Sequence, residues 1–393
     1  MIKGTFNTAS TGPIVLISQG VSYAFQRLQP WRTQLELVQH VSRSGKRVIV
    51  LTDQPVDQLN VGSVQFQFVE NWGASSLFKI ITSLDPRVIF WAAAPTTVRH
   101  KRLLDWVSCP VVPLLMSPCY SWRQLLGVIL RCAPGEVRSL FLQQCIPVFL
   151  WRRFLMHKAV KTICVTSGNS LERLRAIGIP VERTSLLQVG LDEDLRTLAR
   201  RQQSTRPLRN PTRFVYLGSP KKIRGFQMLL DALAELGDNP ELERMEFRLL
   251  TRGAPADMQK QVFERVQHAR GRTTVLTGTL NRSEVLDEIR HADVVVLPFL
   301  LAPSDVPIAV LEAMALGAAV IATRVDGIPE LLEGRGILLA HRTSSQLAKA
   351  MLKLHNDPEE RTRLGAAAQE FAATYPSWQE SLDRFTFHLE ECL

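Results

Sequence analysis

Short apolar runs, rich in β-branched residues, recur along the chain and alternate with longer amphipathic stretches. In the first half they are Ile14 to Ser18, Arg47 to Asp53, Val64 to Val69, Arg87 to Ala92, Val111 to Met116, Thr162 to Thr166 and Ser185 to Val189. Turn residues bound many of them, so each predicts a strand. Between several lie helical patterns, such as Arg32 to Ser44, which sets Leu35, Val38 and Val41 on one stripe and stops at Gly45. Strand and helix in alternation predict a mostly parallel sheet covered on both faces, with its site at the carboxyl ends of the strands.

After Leu195 the character changes. Residues 196–213 read RTLARRQQSTRPLRNPTR, polar, basic and interrupted by Pro207 and Pro211, which predicts a linker over 196–211. A second series of strands follows: Arg213 to Leu217, Glu246 to Leu250, Thr273 to Leu276, Asp293 to Pro298, Ala318 to Thr323 and Gly336 to Leu339. A helix from Gly225 to Leu236 presents Phe226, Leu229, Leu230 and Leu233 on one face, and Asn281 or Ser283 caps another that runs to His291. The end of the chain, Pro376 to Leu393, carries the stripe Trp378, Leu382, Phe385 and Leu389. The expected architecture is α/β: two Rossmann-like, doubly wound domains, 1–195 and 212–375, facing each other across a cleft. A closing helix over 376–393 is expected to pack back toward the first domain.

Within the second series, Pro303 to Thr323 stands out. From Val306 through Ala322 the only ionisable residue is Glu312. The pattern predicts Ser304 or Asp305 as N-cap, Pro307 in the first turn, a helix to Leu316, Gly317 as its C-cap, and then a strand. One carboxylate on a buried helix is costly, so it is either paired internally or kept for a ligand.

A second candidate is the loop Gly218-Ser219-Pro220-Lys221-Lys222-Ile223-Arg224-Gly225, which places two glycines and three cations between a strand and a helix. Backbone amides and the helix dipole favour an anion there, and Arg224 has the fork to hold phosphate oxygens. The GK[ST] ending of a Walker loop is absent. Glu312 is suited to the paired hydroxyls of a ribose, and the amides from Asp305 to Ile308 to a diphosphate. Together these describe a nucleotide-diphosphate site.

The net charge of +10 sharpens the other half. Residues 1–200 hold 23 Lys and Arg against 12 Asp and Glu, whereas the rest hold 24 against 25. A basic first half points to an anionic partner, or to a dispersed solvated set of charges. Residues 123–161 carry seven basic residues, one acid (Glu136) and the clusters LLGVIL, LFL and IPVFLW. They read either as helices resting on an anionic membrane surface, with Trp151-Arg152-Arg153 at the interface, or as a core helix pair with a basic outer face. No run is long enough to span a bilayer and no signal-peptide core opens the chain, so a cytoplasmic protein, peripheral on the inner membrane face, is expected. The six cysteines form no CxxC pair and read as reduced thiols, with no structural metal. Nucleic-acid binding lacks an interleaved aromatic and basic platform.

The order Gly218 to Gly225, Gly278-Thr279-Leu280, Asp293 to Pro298, Ser304 to Gly317 and Asp326-Gly327-Ile328-Pro329-Glu330 resembles the retaining glycosyltransferases of group 1 (family GT4), which have the GT-B fold. The phrase LEAMALGAAVIATRVDGIPELL carries most of the likeness; VTSGNSLERLRAIGIPVERTSLLQVGLD and the Tyr375 to Trp378 tail extend it. The resemblance implies a nucleotide-diphosphate sugar as donor, a glycan or lipid-linked acceptor, and no metal or other cofactor. It implies catalytic roles for Arg224, Glu312 and Ser304 or Asp305. Donor contacts are implied for Gly218, Ser219, Lys222, Arg224, Arg252, Leu280, Ile308 and Glu312. The family commonly has a pair of glutamates; Glu312 matches the second, and the first falls on Ser304. Its glycine-rich turn there is Val306-Pro307, its usual arginine falls on Ser219, and Arg224 stands at its lysine. Its paired glycines fall near Leu28 and Gln29, and its frequent His near Ser117. These departures leave open a second class of function, a binding or scaffold protein that has lost turnover.

Overall fold

The computed structural model describes residues 12–21, 29–55, 60–61, 64–117, 122–201, 210–237, 239–255, 257–266, 269, 272–278, 280–302 and 304–392. The chain divides into two compact units: residues 1–121, 140–189 and 378–393 form the first, and 122–139 with 190–377 the second.

The first unit is built on an eight-stranded sheet in the order β3-β4-β2-β1-β5-β6-β7-β8. Its strands are β1 (Ile14–Ile17), β2 (Val48–Thr52), β3 (Asn60–Val61), β4 (Val64–Phe68), β5 (Val88–Ala92), β6 (Val111–Leu115), β7 (Ile163–Val165) and β8 (Thr184–Leu186). All neighbours pair in parallel except β3 with β4. The seven expected strands are present. The two-residue β3 is too short for any hydrophobic period to announce it. Every residue of β1, β2 and β6 is buried, the signature of a sheet covered on both faces. Helix α1 (Trp31–Arg43) buries Leu35, Val38 and Val41 as its stripe requires. The last helix, α16 (Trp378–Cys392), packs on α1 in this unit. Its Trp378, Leu382, Phe385 and Leu389 are buried, and the Arg32 guanidinium lies 5.3 Å from the Trp378 ring centroid.

The second unit holds a six-stranded, all-parallel sheet in the order β11-β10-β9-β12-β13-β14. These are β9 (Thr212–Gly218), β10 (Met245–Thr251), β11 (Thr273–Thr277), β12 (Val294–Leu297), β13 (Ala319–Thr323) and β14 (Ile337–Leu339). The chain winds outward from β9 in one direction and from β12 in the other, so the adjacent pair β9 and β12 is the topological switch point. Helix α9 (Phe226–Glu235) buries Phe226, Leu229, Leu230 and Leu233, and α11 (Arg282–His291) starts from an Asn281 capping box with Glu284.

Two expectations change and one alternative is settled. Residues 196–201, placed at the linker's start, belong to helix α8 (Glu193–Arg201), which packs on α15 (Pro358–Thr374). Its composition looks like a linker because its inner face rests on only Leu195 and Ala199 plus the stem of Arg196, paired to Glu193 at 3.3 Å. The expected linker residues 202–209 lie outside the described residues. Residues 122–139, expected in the first domain, group with the second unit; they include α4 (Trp122–Ile129) and the start of α5 (Pro134–Gln144). Trp151, read either at a lipid interface or on a core helix, takes the second place: it is buried in α6 (Val148–Leu155) and stacks on Phe154 with centroids 5.4 Å apart. Exposed apolar side chains lie near it in sequence, among them Leu126, Leu130, Phe141, Leu142, Val148 and Phe149.

Candidate functional site

The loop from Gly218 to Gly225 leaves the carboxyl end of β9, and residues 298–307 leave that of β12. Ile223 O accepts from Leu300 N at 3.0 Å and joins the two connections. Gly225 explains the closeness of the fit: its φ is +76°, and a Cβ there would stand 1.8 Å from Pro298 O. Only glycine meets both demands. Arg224 stacks over Phe299, 5.9 Å from the ring centroid. Gly218 O accepts from Arg252 N at 3.1 Å, which ties the end of β10 to the same loop. Tyr216 is buried and donates from its hydroxyl to Ser219 O at 2.9 Å. Lys222 is exposed.

Residues 299–305 are held by partners from several elements. Phe299 O accepts from Thr323 Oγ1, Leu300 O from Arg342 Nη1 at 2.6 Å, and the Asp326 carboxylate from Ala302 N at 2.9 Å. Asp326 adopts a positive φ of 51° to do so, in the turn Asp326-Gly327 that follows β13. The next residue, Pro303, lies outside the described residues. Ser304 and Asp305 differ from expectation: both are buried, Ser304 donates to Val306 O at 3.2 Å, and Asp305 O accepts from Gly327 N at 3.1 Å. Helix α12 begins later, at Ile308, with Pro307 in the N-cap position and no side-chain cap. A residue before proline avoids the helical region, so Val306 cannot belong to the helix and Ser304 and Asp305 stand too far back to cap it. The amides of Ile308 and Ala309 thus receive no side-chain cap, while Val310 N donates to Pro307 O at 3.0 Å.

Glu312 sits in the second turn of α12, a helix packed against α8, α11, α15 and β13. Its side chain is 13% exposed, and an oxygen lies 4.0 Å from Arg282 Nε. Arg282, the first residue of α11, donates to Asp192 and, at 3.2 Å, to Asp194. One cation therefore serves three carboxylates, and Glu312 is the most distant of the three. Both readings of this residue meet here: it has an internal counter-ion, but not at hydrogen-bond distance, and it reaches the surface. Arg282 was not foreseen, since an arginine opening an exposed-looking helix carries no signal of its own. Leu280 and Ile308 are partly buried, immediately before α11 and at the start of α12. Among the described residues no group of three His, Cys, Asp or Glu is placed to hold a metal ion.

The first unit has its own switch point between β1 and β5. A cavity of about 180 Å³ opens there. Gln19, Trp31, Gln34, Gln143, Ser18 and Ser117 supply its polar lining, and among the described residues no charged side chain joins them. Trp31 Nε1 donates to Gln19 O at 3.2 Å and Ser18 Oγ to Gln34 Oε1 at 2.5 Å. The basic surplus is thus absent from this cavity. Beside it, Arg99 Nε donates to His100 Nε2 at 2.7 Å, and burial together with the Arg99 charge draws the His100 pKa down. Leu28, one of the two positions of the expected paired glycines, lies outside the described residues; Gln29 accepts from Thr33 Oγ1 at 2.9 Å.

The family model described as "Glycosyl transferases group 1" matches residues 211–357, which span the whole β9–β14 sheet. These residues match a group 1 glycosyltransferase domain. The chain is 27% identical over 260 residues to D-inositol 3-phosphate glycosyltransferase of Pseudarthrobacter chlorophenolicus, covering 59% of this chain and 58% of that protein. The match thus reaches little more than half the length of that relative. Among solved structures, sucrose-phosphate synthase from Thermosynechococcus elongatus superposes with a TM-score of 0.69 at 17% identity, over 97% of this chain and 98% of that one. Anabaena HepE in complex with UDP-glucose gives 0.68 at 16% identity, over 97% and 100%. Likeness at such identity shows the fold, which is that of the GT-B glycosyltransferases with two parallel-sheet α/β units.

Proposed function

We propose that the chain is a retaining glycosyltransferase that moves a hexose from a nucleotide-diphosphate donor held by the second unit to a glycan or lipid-linked acceptor. The observation that carries this reading is the convergence at the β9 and β12 switch point. The Gly218 to Gly225 loop, the start of α12 without a side-chain cap and the part-exposed carboxylate of Glu312 all lie in connections at or beside the carboxyl ends of one sheet. The structure of HepE with UDP-glucose is a fold-level analogy for the donor class.

In this reading Glu312 accepts from the ribose hydroxyls, and Arg224 with Lys222 stabilises the charge that develops on the departing diphosphate. The amides of Ile308 and Ala309 contribute further donors. Ser304 and Asp305 shape the approach to α12 from within the protein and do not present side chains to the sugar. No metal or organic cofactor is required for this stabilisation. The uncharged cavity of the first unit, with its carboxamides and an indole, suits a neutral sugar ring of the acceptor. Phe141, Leu142, Val148 and Phe149, exposed beside Arg152 and Arg153, support peripheral contact with an anionic membrane carrying a lipid-linked acceptor. No described helix is long and apolar enough to cross one.

A thermal-shift screen of the whole chain against UDP, GDP and ADP sugars tests the donor assignment, because a ligand that binds only the folded state raises Tm. Stabilisation by one nucleotide series, followed by anomer-resolved product analysis with acceptors, is expected. Binding with neither hydrolysis nor transfer would place the chain among non-catalytic binding proteins, and no stabilisation by any series would remove the donor site.

A further inference from the structure

The donor loop already holds an anion, and the protein supplies it. Glu136 Oε1 accepts from Lys222 N at 3.2 Å and Glu136 Oε2 from Ile223 N at 2.9 Å. These are the backbone amides of the loop that precedes α9, the ones read above as facing phosphate. Glu136 is the only acidic residue in the strongly basic stretch 123–161, so the one negative side chain of that stretch has been placed on a loop that favours negative charge. It lies in the first turn of α5, where the carboxylate is also favourable to its own helix. The α4–α5 turn is fastened a second time, by Arg131 Nη1 donating to Arg342 O at 2.8 Å. Arg342 in turn holds Leu300, part of the β12 connection. Cys132, between these two attachments, is buried, and burial with the nearby Glu136 charge pushes its thiol up to about 11.

We propose that Glu136 is a displaceable stand-in for the donor phosphate, and that the α4–α5 turn is a strap that keeps the nucleotide site closed until it lifts. The inference rests on the donor site proposed above. A diphosphate carries more charge and more acceptor oxygens than one carboxylate, so it outcompetes Glu136 once it arrives, but it pays for release of the strap. An apparent Kd is raised by the inverse of the open fraction, so a strap closed nine-tenths of the time weakens nucleotide binding about tenfold.

Calorimetric titration of the full chain with the nucleoside diphosphate found in the screen tests this. Glu136→Gln and Glu136→Ala are both expected to tighten binding by up to about tenfold. Arg131→Ala, which leaves the loop amides untouched, is expected to act in the same direction. Saturating nucleotide should also speed alkylation of Cys132 in the parent protein several-fold, as the strap lifts. Unchanged or weakened affinity in both Glu136 variants, or Cys132 labelling indifferent to bound nucleotide, overturns the strap. If the parent binds nucleotide and loses it on Glu312→Ala while the Glu136 variants are silent, the strap alone is wrong. If no nucleotide binds any variant, the donor site itself is wrong and the strap falls with it.

Discussion

Substituting Gly225 with alanine tests the packing that brings the β9 loop against the β12 connection. The residue sits at φ +76°, and a Cβ would meet Pro298 O at 1.8 Å, a backbone atom that cannot swing aside. The left-handed conformation alone costs an alanine about 1 kcal/mol. Relieving the clash requires moving a connection held by Ile223, Thr323 and Arg342, for which overpacking costs of about 1–3 kcal/mol are the guide. Gly334 supplies the control, because it has φ +75° with nothing within 4 Å of a Cβ and so incurs only the conformational term. Differential scanning calorimetry should place the Gly225→Ala transition below that of Gly334→Ala by about 2–12 °C, since 1 kcal/mol moves a unit of this size by about 2–4 °C. Nucleotide affinity should fall with Gly225→Ala and stay at the parent value with Gly334→Ala. Equal transitions and equal affinities for the two variants would refute the idea that close packing at Pro298 shapes the site.

Other consequences follow from the same geometry. Arg282→Met should destabilise the second unit by about 2–4 kcal/mol in denaturant titrations, because it strands Asp192, Asp194 and Glu312 without their cation. Parent-like stability would mean that water already screens the cluster. Native alkylation at pH 8 followed by mass spectrometry should label exposed Cys145 first and spare Cys132 and Cys109, whose thiols burial pushes up to about 11 and about 12. At a pKa of about 11 only about one thiol in a thousand is thiolate at that pH, and rapid labelling of Cys132 would contradict its placement. Trp31→Ala should raise acceptor KM about tenfold while leaving nucleotide affinity unchanged, as expected of an indole lining the first unit's cavity.

The central strands β1, β2, β6, β12 and β13 were legible because a doubly wound sheet buries them on both faces and leaves short apolar runs, whereas β4, with Gln65 and Gln67 between apolar residues, was legible by its alternation. The candidate loop and Glu312 were legible for a related reason: cations and a lone carboxylate stand out against apolar neighbours. What sequence could not show was pairing across distance. Glu136 and Lys222 are 86 residues apart, and Arg282 and Asp192 are 90 apart. No local pattern links either pair. The N-cap of α12 was misplaced because Ser304-Asp305 is a strong capping signal in isolation, overridden by the restriction that Pro307 places on Val306. Helix α8 was misread because a short buried face can be served by the aliphatic stem of an arginine.

The central claim is that Glu312 holds the donor nucleotide, and calorimetric titration of nucleoside diphosphate into the parent and Glu312→Ala proteins tests it most directly. Arg282 keeps Asp192 and Asp194 as closer partners, so the variant should fold. Loss of hydrogen bonds to a charged acceptor, worth about 1.5–3 kcal/mol, predicts a Kd raised about 10- to 150-fold in the folded variant. An unchanged Kd would contradict the account.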